Sequence, residues 1–405
     1  SYGAYTIFGS PALYGGYEYT PEMINARDTE TLESKHNEAL RVMPVIFGDS
    51  GYNVTIFDPS HAGMKWVPDL SIYDDRPEFN CFNTTGHFNY FEDDTALRDT
   101  SIRMIEIRNR NFFCFSLMKI SPLFLQATIY DGGLYNESVS VANNTDNALG
   151  ISAIVQTLDG LTKSYGYDSN FLEAYTVLTK LPDITIVNDS SENTFLMMSN
   201  TTTHSPCLLQ EPDYVPALNV DNTSYDTDMA ARYTIDGKTM EMNEDYQVTH
   251  YHVNMAAFLK LGEWFDYLRE QGVWDNTRII IVADHGRALN QFDVTCEEVQ
   301  LDMEFYMPLL MVKDFDSTGF TVCEDFMTNG DTPTLAMEGL IEDPVNPFTH
   351  KPINSDAKNG PQTVFFSNDF NPDDNIGNYT FSKGIWIALN GDPHDSDSWT
   401  YIGAW

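Results

Sequence analysis

The sequence predicts an α/β fold: a doubly wound, mostly parallel sheet between helices, followed by a smaller β-rich C-terminal subdomain. Two patterns carry that expectation. Short apolar runs of strand length alternate with stretches of helical periodicity through most of the chain. Beyond about residue 340 the helical periodicity stops, and "PQTVFFSNDF", "NYTFSKGIWIALNG" and "SWTYIGAW" read as antiparallel strands joined by turns. The expected organisation is a main domain over 1–335 and the β-rich subdomain over 336–405.

Taken in chain order, residues 29–47 ("TETLESKHNEALRVMPVIF") read as a helix and Val54 to Phe57 as a strand. The most apolar run, "FFCFSLMKISPLFLQATIY" over 112–130, has nearly membrane-spanning length, but Lys119, Pro122 and Gln126 interrupt it. Two buried strands joined near Pro122 are expected there. The stretch 131–168, rich in Asn, Gly, Ser and Thr, reads as an irregular insertion over a sheet edge. A helix over 170–180 and strands at Ile184 to Val187 and Thr194 to Met198 follow, then a long excursion over 213–245. The clearest helix is 251–272, where Ala257, Leu261, Trp264, Phe265 and Leu268 fall on one face and Gly272 fits a C-terminal cap. It feeds through "VWDNT" into a strand from Ile279 to Ala283, half of a doubly wound unit. A further strand is expected at Leu309 to Val312.

Composition limits the partners. The chain has 405 residues with 60 acidic against 22 basic, a formal net charge of -38. Such a chain repels nucleic acid and anionic lipid. An anionic substrate meets the same repulsion, which a bound metal cation removes locally. Five cysteines form no CxxC pair, which argues against a zinc ribbon or a thioredoxin motif, and buried free thiols are expected.

The segment "RIIIVADHGRALNQ", 278–291, turns sharply from apolar to polar at Asp284, His285 and Gly286. Ligands of open α/β sheets bind beyond the carboxyl ends of strands. A carboxylate and an imidazole side by side there suit a divalent cation, and Gly286 keeps a side chain out of the turn. A bare Asp-His pair is more often a cap and a surface imidazole; the strand in front of this one favours the metal site.

At these residues the chain resembles the alkaline phosphatase superfamily, and within it the branch of sulfatases, lipoteichoic acid synthases and phosphoethanolamine transferases. "VADHG" after a helix and an apolar strand, and "YMPLLMVKDF" over 306–315, carry the resemblance. It implies an alkaline phosphatase-like sheet and metal-ligand roles for Asp284 and His285. In "AYTIFGSPALYGG", residues 4–16, it implies that Thr6 is both nucleophile and metal ligand. A helix N-cap is the other reading of Thr6; Ser1 and Ser10 are weaker nucleophile candidates. In "FLMMSNTTTHSP", 195–206, it implies that His204 contacts the substrate phosphate or the leaving group. In "TIFDPSHAGMKWVPDL", 55–70, it implies that His61 and Trp66 line the substrate cleft. His250 and His252 precede the main helix and are given no role, and the remaining histidines are left at the surface.

The resemblance implies a metal-dependent phosphoryl or phosphodiester-group transferase or hydrolase with one divalent ion, Mn or Zn. Its substrate would be a phosphate ester or lipid head group of an exported lipid or envelope glycan. The family's acidic ligand lies upstream of the nucleophile, so here it is expected from chain preceding Ser1. A membrane tether on the extracellular face is expected from the same upstream region. No CxPxR or SxPxR motif occurs, which argues against formylglycine-based sulfate hydrolysis. A sulfatase or phosphatase of small esters, and a catalytically silent surface interaction domain, remain the alternatives.

Overall fold

The computed structural model describes residues 1–88, 109–130, 163–165, 168–187, 191–217, 219–225, 232–235 and 237–404. It is a mixed α/β protein with one three-stranded parallel sheet and several antiparallel ones. The chain divides into two compact units. Ser1–Thr84, Val187–Ser199 and Leu268–Trp405 form the first; Thr85–Ile186 and Asn200–Tyr267 form the second.

In the first unit, helix α1 covers Thr6–Gly15 and is buried from Ile7 to Gly15. Its residues are small or apolar almost all round, as an interior helix requires. Helix α2, Leu32–Asp49, starts at Thr31, whose hydroxyl accepts the Ser34 amide at 3.2 Å. Leu32, His36, Ala39, Leu40, Met43 and Phe47 recur every three or four residues along it and are buried.

The strand expected at Val54 is β1, Asn53–Phe57. It pairs in parallel with β2, Asn80–Phe82, and with β3, Thr194–Met198. Strand β4, Ile279–Val282, pairs with β5, Leu310–Lys313, in antiparallel register. Among the described residues, parallel strand pairing is confined to β1, β2 and β3, apart from an isolated parallel bridge between Gly3 and Phe365. β4 reads from its sequence as a buried strand but is half-buried along its length. Among the described residues it is paired with β5 alone, so its aliphatic side chains have less cover than in a central strand. The C-terminal patterns form an antiparallel sheet of β6 (Gln362–Phe366), β7 (Ile385–Leu389) and β8 (Trp399–Ala404). Ala4 packs into the core under that sheet with Val364, Ile387, Leu389 and Trp399, which anchors the approach to α1.

In the second unit, α3 (Ser169–Ile184) runs through the start of the strand expected at Ile184. Tyr267 Oη donates to the Thr185 carbonyl at 2.8 Å and Trp264 Nε1 to the Thr185 hydroxyl at 2.9 Å. Thr185 is thus held by the long helix α4 (Asp245–Glu270) instead of a strand ladder. At the end of α4, Gly272 takes φ 71 and its amide bonds Arg269 O, while the Val273 amide bonds Leu268 O. That is a left-handed glycine cap, as the sequence predicts.

The apolar run at 112–130 is neither strand nor buried. It is helical over 109–120 and again over Leu123–Tyr130, and none of residues 109–129 is buried. Phe112, Phe113, Phe115 and Ile120 suit a strand, whereas Arg110, Leu117, Met118 and Lys119 favour a helix, so local propensity does not decide the segment. Among the described residues no helix is long and apolar enough to cross a membrane. Most of the insertion expected over 131–168 lies outside the described residues; its Lys163–Tyr165 pairs with Asn219–Asp221.

Candidate functional site

Beyond the last residue of β4 the Ala283 amide bonds the Leu309 carbonyl at 3.0 Å, and the chain then leaves the ladder. Gly286 comes next to a crowded wall. Its amide donates to Phe305 O at 2.8 Å, and a Cβ on it would lie 2.1 Å from Glu304 O. Only glycine fits that approach. The buried Glu304 carboxylate accepts the Leu289 and Phe292 amides, each at 2.5 Å, and so pins the loop that follows His285.

The Asp284 and His285 side chains are 27% and 16% exposed. His285 Nδ1 lies 2.7 Å from the Gly286 carbonyl oxygen. A carbonyl only accepts, so Nδ1 carries a proton; with no second proton on the ring, Nε2 presents a lone pair. That lone pair is 3.8 Å from Asp284 Oδ2, while Oδ1 accepts the His285 amide at 3.0 Å. In that form two electron-rich atoms stand near each other with no hydrogen between them. A proton on Nε2 or a cation between them relieves the repulsion, and their separation is within the span of two ligand bonds of about 2.0–2.2 Å. The backbone carbonyl behind the imidazole is the usual partner that orients a metal-binding histidine. Among the described residues, no group of three His, Cys, Asp or Glu side chains is gathered around one point.

Helix α1 reaches the same strand end. A Cβ on Gly9 would lie 2.3 Å from Asp284 O, so helix and loop touch backbone to backbone. Asn329 clamps them: its Nδ2 donates to Gly9 O at 3.1 Å and to Asp284 O at 2.9 Å. The Tyr5 ring stands edge-on to the His285 ring with centroids 6.3 Å apart. The N-cap position belongs to Tyr5, in extended backbone geometry, and Thr6 is the first helical residue. The N-cap reading of Thr6 is thereby corrected. Its hydroxyl has no capping duty and makes no hydrogen bond among the described residues.

Thr6, Ser10 and Tyr14 recur every four residues and share one face of α1. The buried Ser10 hydroxyl has no hydrogen-bond partner among the described residues. Tyr14 Oη lies 2.5 Å from Ser199 Oγ, which also accepts from Ser60 Oγ at 3.1 Å. Ser199 directly follows β3 and Ser60 lies just past β1, so this face of α1 meets the carboxyl ends of the parallel strands. Burial raises the Tyr14 pKa, and the Asp284 charge adds to that. His36, expected at the surface, is buried on α2 with Nε2 2.9 Å from Ser60 O. Burial lowers its pKa to about 4.

The other expected site residues divide between the units. His61 and Trp66 come together on the loop after β1, with ring centroids 5.3 Å apart, and Trp66 is exposed. His204 belongs to the second unit, exposed in a turn where its amide bonds Thr201 O at 3.0 Å. In that unit His252 is fully buried; its Nδ1 accepts the Leu209 amide at 3.1 Å and its Nε2 lies 3.1 Å from Glu211 Oε1. All five cysteines are free; Cys207 and Cys296 are buried and Cys323 is exposed.

Tyr14, Ser60, Ser199 and Asn329 were not evident from the sequence as neighbours of the site. Ser199 and Ser60 carried one usable signal, their place just past a predicted strand. Tyr14 carried another, two helical turns beyond Thr6. No protein-family model and no curated protein matches this chain.

Proposed function

We propose that this chain is the catalytic part of a metal-dependent phosphoryl or phosphodiester-group transferase or hydrolase with Thr6 as nucleophile, of the sulfatase-like branch of the alkaline phosphatase superfamily. The observation that carries this reading is the fixed contact between α1 and the end of β4. Gly9 packs on Asp284 and Asn329 bonds both, which ties the helix beginning at Thr6 to the Asp284–His285 pair. The parallel strands whose carboxyl ends meet Tyr14 support an alkaline phosphatase-like arrangement.

Asp284, His285 and Thr6 would hold the ion, Mn or Zn, together with the acidic ligand that the resemblance implies. When bound, it supplies a lowered pKa for the Thr6 hydroxyl and a counter-charge for the phosphate. Thr6 Oγ attacks phosphorus, the bond from phosphorus to the leaving oxygen breaks, and that oxygen takes up a proton. The resemblance assigns that proton to His204, and a cleft-lining role to His61 and Trp66. Water or an acceptor hydroxyl then displaces Thr6 and restores its hydroxyl. The substrate class is a phosphate ester of an exported lipid or envelope glycan, at the extracellular face of a tethering membrane. A second reading is a silent surface interaction domain, consistent with one observation: no third His, Cys, Asp or Glu side chain joins Asp284 and His285 among the described residues.

The test is turnover of phosphodiester and sulfate esters by the full-length protein with Mn or Zn. Thr6→Ala should lower phosphodiester turnover by about 10⁴-fold or more with the circular dichroism spectrum unchanged. Unchanged turnover removes Thr6 as nucleophile. Turnover of sulfate esters alone favours the sulfatase alternative, and no turnover of either ester by the wild type favours the interaction domain.

A further inference from the structure

The apolar segment 109–130 is exposed on a strongly acidic protein, and its own charge has the opposite sign. Phe112 and Phe113 are 64% and 67% exposed, Ile120 81%, Leu123 84% and Phe124 80%. A soluble surface rarely gathers so many large apolar side chains without a partner. At 3.6 residues per turn, Phe112, Phe113, Leu117 and Ile120 fall within one arc of about 140°. Lys119 and Arg110 stand at its two borders, both exposed. They are the only charged residues from 109 to 130, in a chain of net charge -38. The opposite side of this helix, with Cys114, Phe115 and Met118, is half-buried. The break at Ser121 and Pro122 is braced, since Ser121 Oγ donates to Leu117 O at 2.7 Å and Gln126 Nε2 to Ser121 O at 3.0 Å. Among the described residues no helix is long and apolar enough to span a bilayer.

We propose that residues 109–130 form a membrane-interface contact, which lays its phenylalanine and leucine side chains into the headgroup–acyl boundary of a bilayer containing anionic lipid. An aromatic and aliphatic face bordered by basic residues is the composition of helices that lie in that boundary. Lys119 and Arg110 extend their charges toward phosphates while their stems stay in the apolar layer. The acidity of the rest of the chain does not cancel this, because charges beyond a screening length of roughly 8 Å at physiological salt act weakly on the contact.

The experiment is flotation of the purified chain with vesicles of phosphatidylcholine alone, and of phosphatidylcholine with phosphatidylglycerol. The expected result is flotation that prefers the anionic vesicles. Combined Phe112→Ser, Leu123→Ser and Phe124→Ser should reduce the bound fraction by about tenfold or more with no change in circular dichroism, since all three side chains are exposed. Lys119→Glu, a single change at an exposed position, should weaken binding to anionic vesicles by about fivefold or more and leave neutral vesicles unaffected. The proposal is overturned by absence of flotation, by equal flotation of wild type and triple variant, or by equal binding to the two vesicle types. It is also overturned if the apolar face instead drives a dimer on gel filtration that the triple variant abolishes, with no vesicle binding.

Discussion

In the first unit His285 turns its Nε2 lone pair toward the Asp284 carboxylate across 3.8 Å, with both side chains partly open to solvent. In the second unit His252 stands 3.1 Å from the Glu211 carboxylate, with the two side chains 0% and 4% exposed. The tautomers are opposite. The Leu209 amide donates to His252 Nδ1, so the proton of that ring sits on Nε2, which is 3.1 Å from Glu211 Oε1 but outside hydrogen-bond geometry with it. Arg232 Nε also donates to Glu211, at 3.1 Å, and completes the charge balance. Burial first, and then the Arg232 charge, lowers the His252 pKa to about 3. One cluster is closed: each charge has its counterpart and the imidazole is neutral. The other is open: both side chains are partly exposed, and the gap between them has room for a proton or a cation. The same pair of residue types is thus a structural post in one place and a candidate ligand set in the other, and the deciding feature is what each imidazole's second nitrogen contacts.

The largest test of this contrast is stability. Glu211→Ala takes the carboxylate from a buried guanidinium, and it should destabilise the protein by about 3–5 kcal/mol in urea unfolding. Asp284→Ala removes a partly exposed carboxylate from an open pair and should change stability by less than about 1 kcal/mol. Equal costs would erase the distinction between closed and open pairs.

A second test uses pH. His36, like His252, is held neutral by burial, with its folded pKa at about 4 against 6.5. The unfolded chain then takes up the proton first as pH falls. Stability is therefore complete above about pH 6.5 and declines toward pH 4, with about 3 kcal/mol at stake for this one ring. His36→Gln should flatten that part of the stability profile. An unaltered slope would show that His36 is not a buried neutral base.

Metal addition addresses the open pair directly. Saturating Mn or Zn should raise the unfolding free energy of the wild type, by about 2.7 kcal/mol at a hundred times the dissociation constant. Asp284→Asn and His285→Gln should lose most of that gain. If both variants keep the full shift, the ion binds elsewhere.

The sequence pattern made some of this legible and hid the rest for identifiable reasons. Period and punctuation placed β1, β3, β4 and α2 within about three residues, because those signals are local; α4 begins at Asp245, six residues before its expected start, and takes in His250 and His252. Asp284 and His285 stood out because polar residues ended an apolar strand; Thr6 was singled out by the resemblance. Strand direction was not visible: nothing in "YMPLLMVKDF" states that it runs antiparallel to β4. The helical state of 109–130 was obscured by its hydrophobicity, which suits a buried strand as well as an exposed helix. Tyr14 and Ser199 are 185 residues apart, and no local rule joins them.

The smallest predicted effect bears on that last contact, which combines the two kinds of site. Tyr14 is buried and its hydroxyl is satisfied, yet it lies on the same face of α1 as Thr6. Tyr14→Phe removes one hydrogen bond without opening a cavity, so a loss of about 1 kcal/mol is expected. Ser199→Ala should cost a similar amount, although Ser199 also bonds Ser60. If the Tyr14–Ser199 contact carries the stabilisation, the double variant should lose less than the sum, with a coupling of about 0.5–1 kcal/mol. Additive losses would mean that each hydroxyl is stabilised by other neighbours. The face of α1 behind Thr6 would then be held by packing, and its polar residues would be free to serve a ligand.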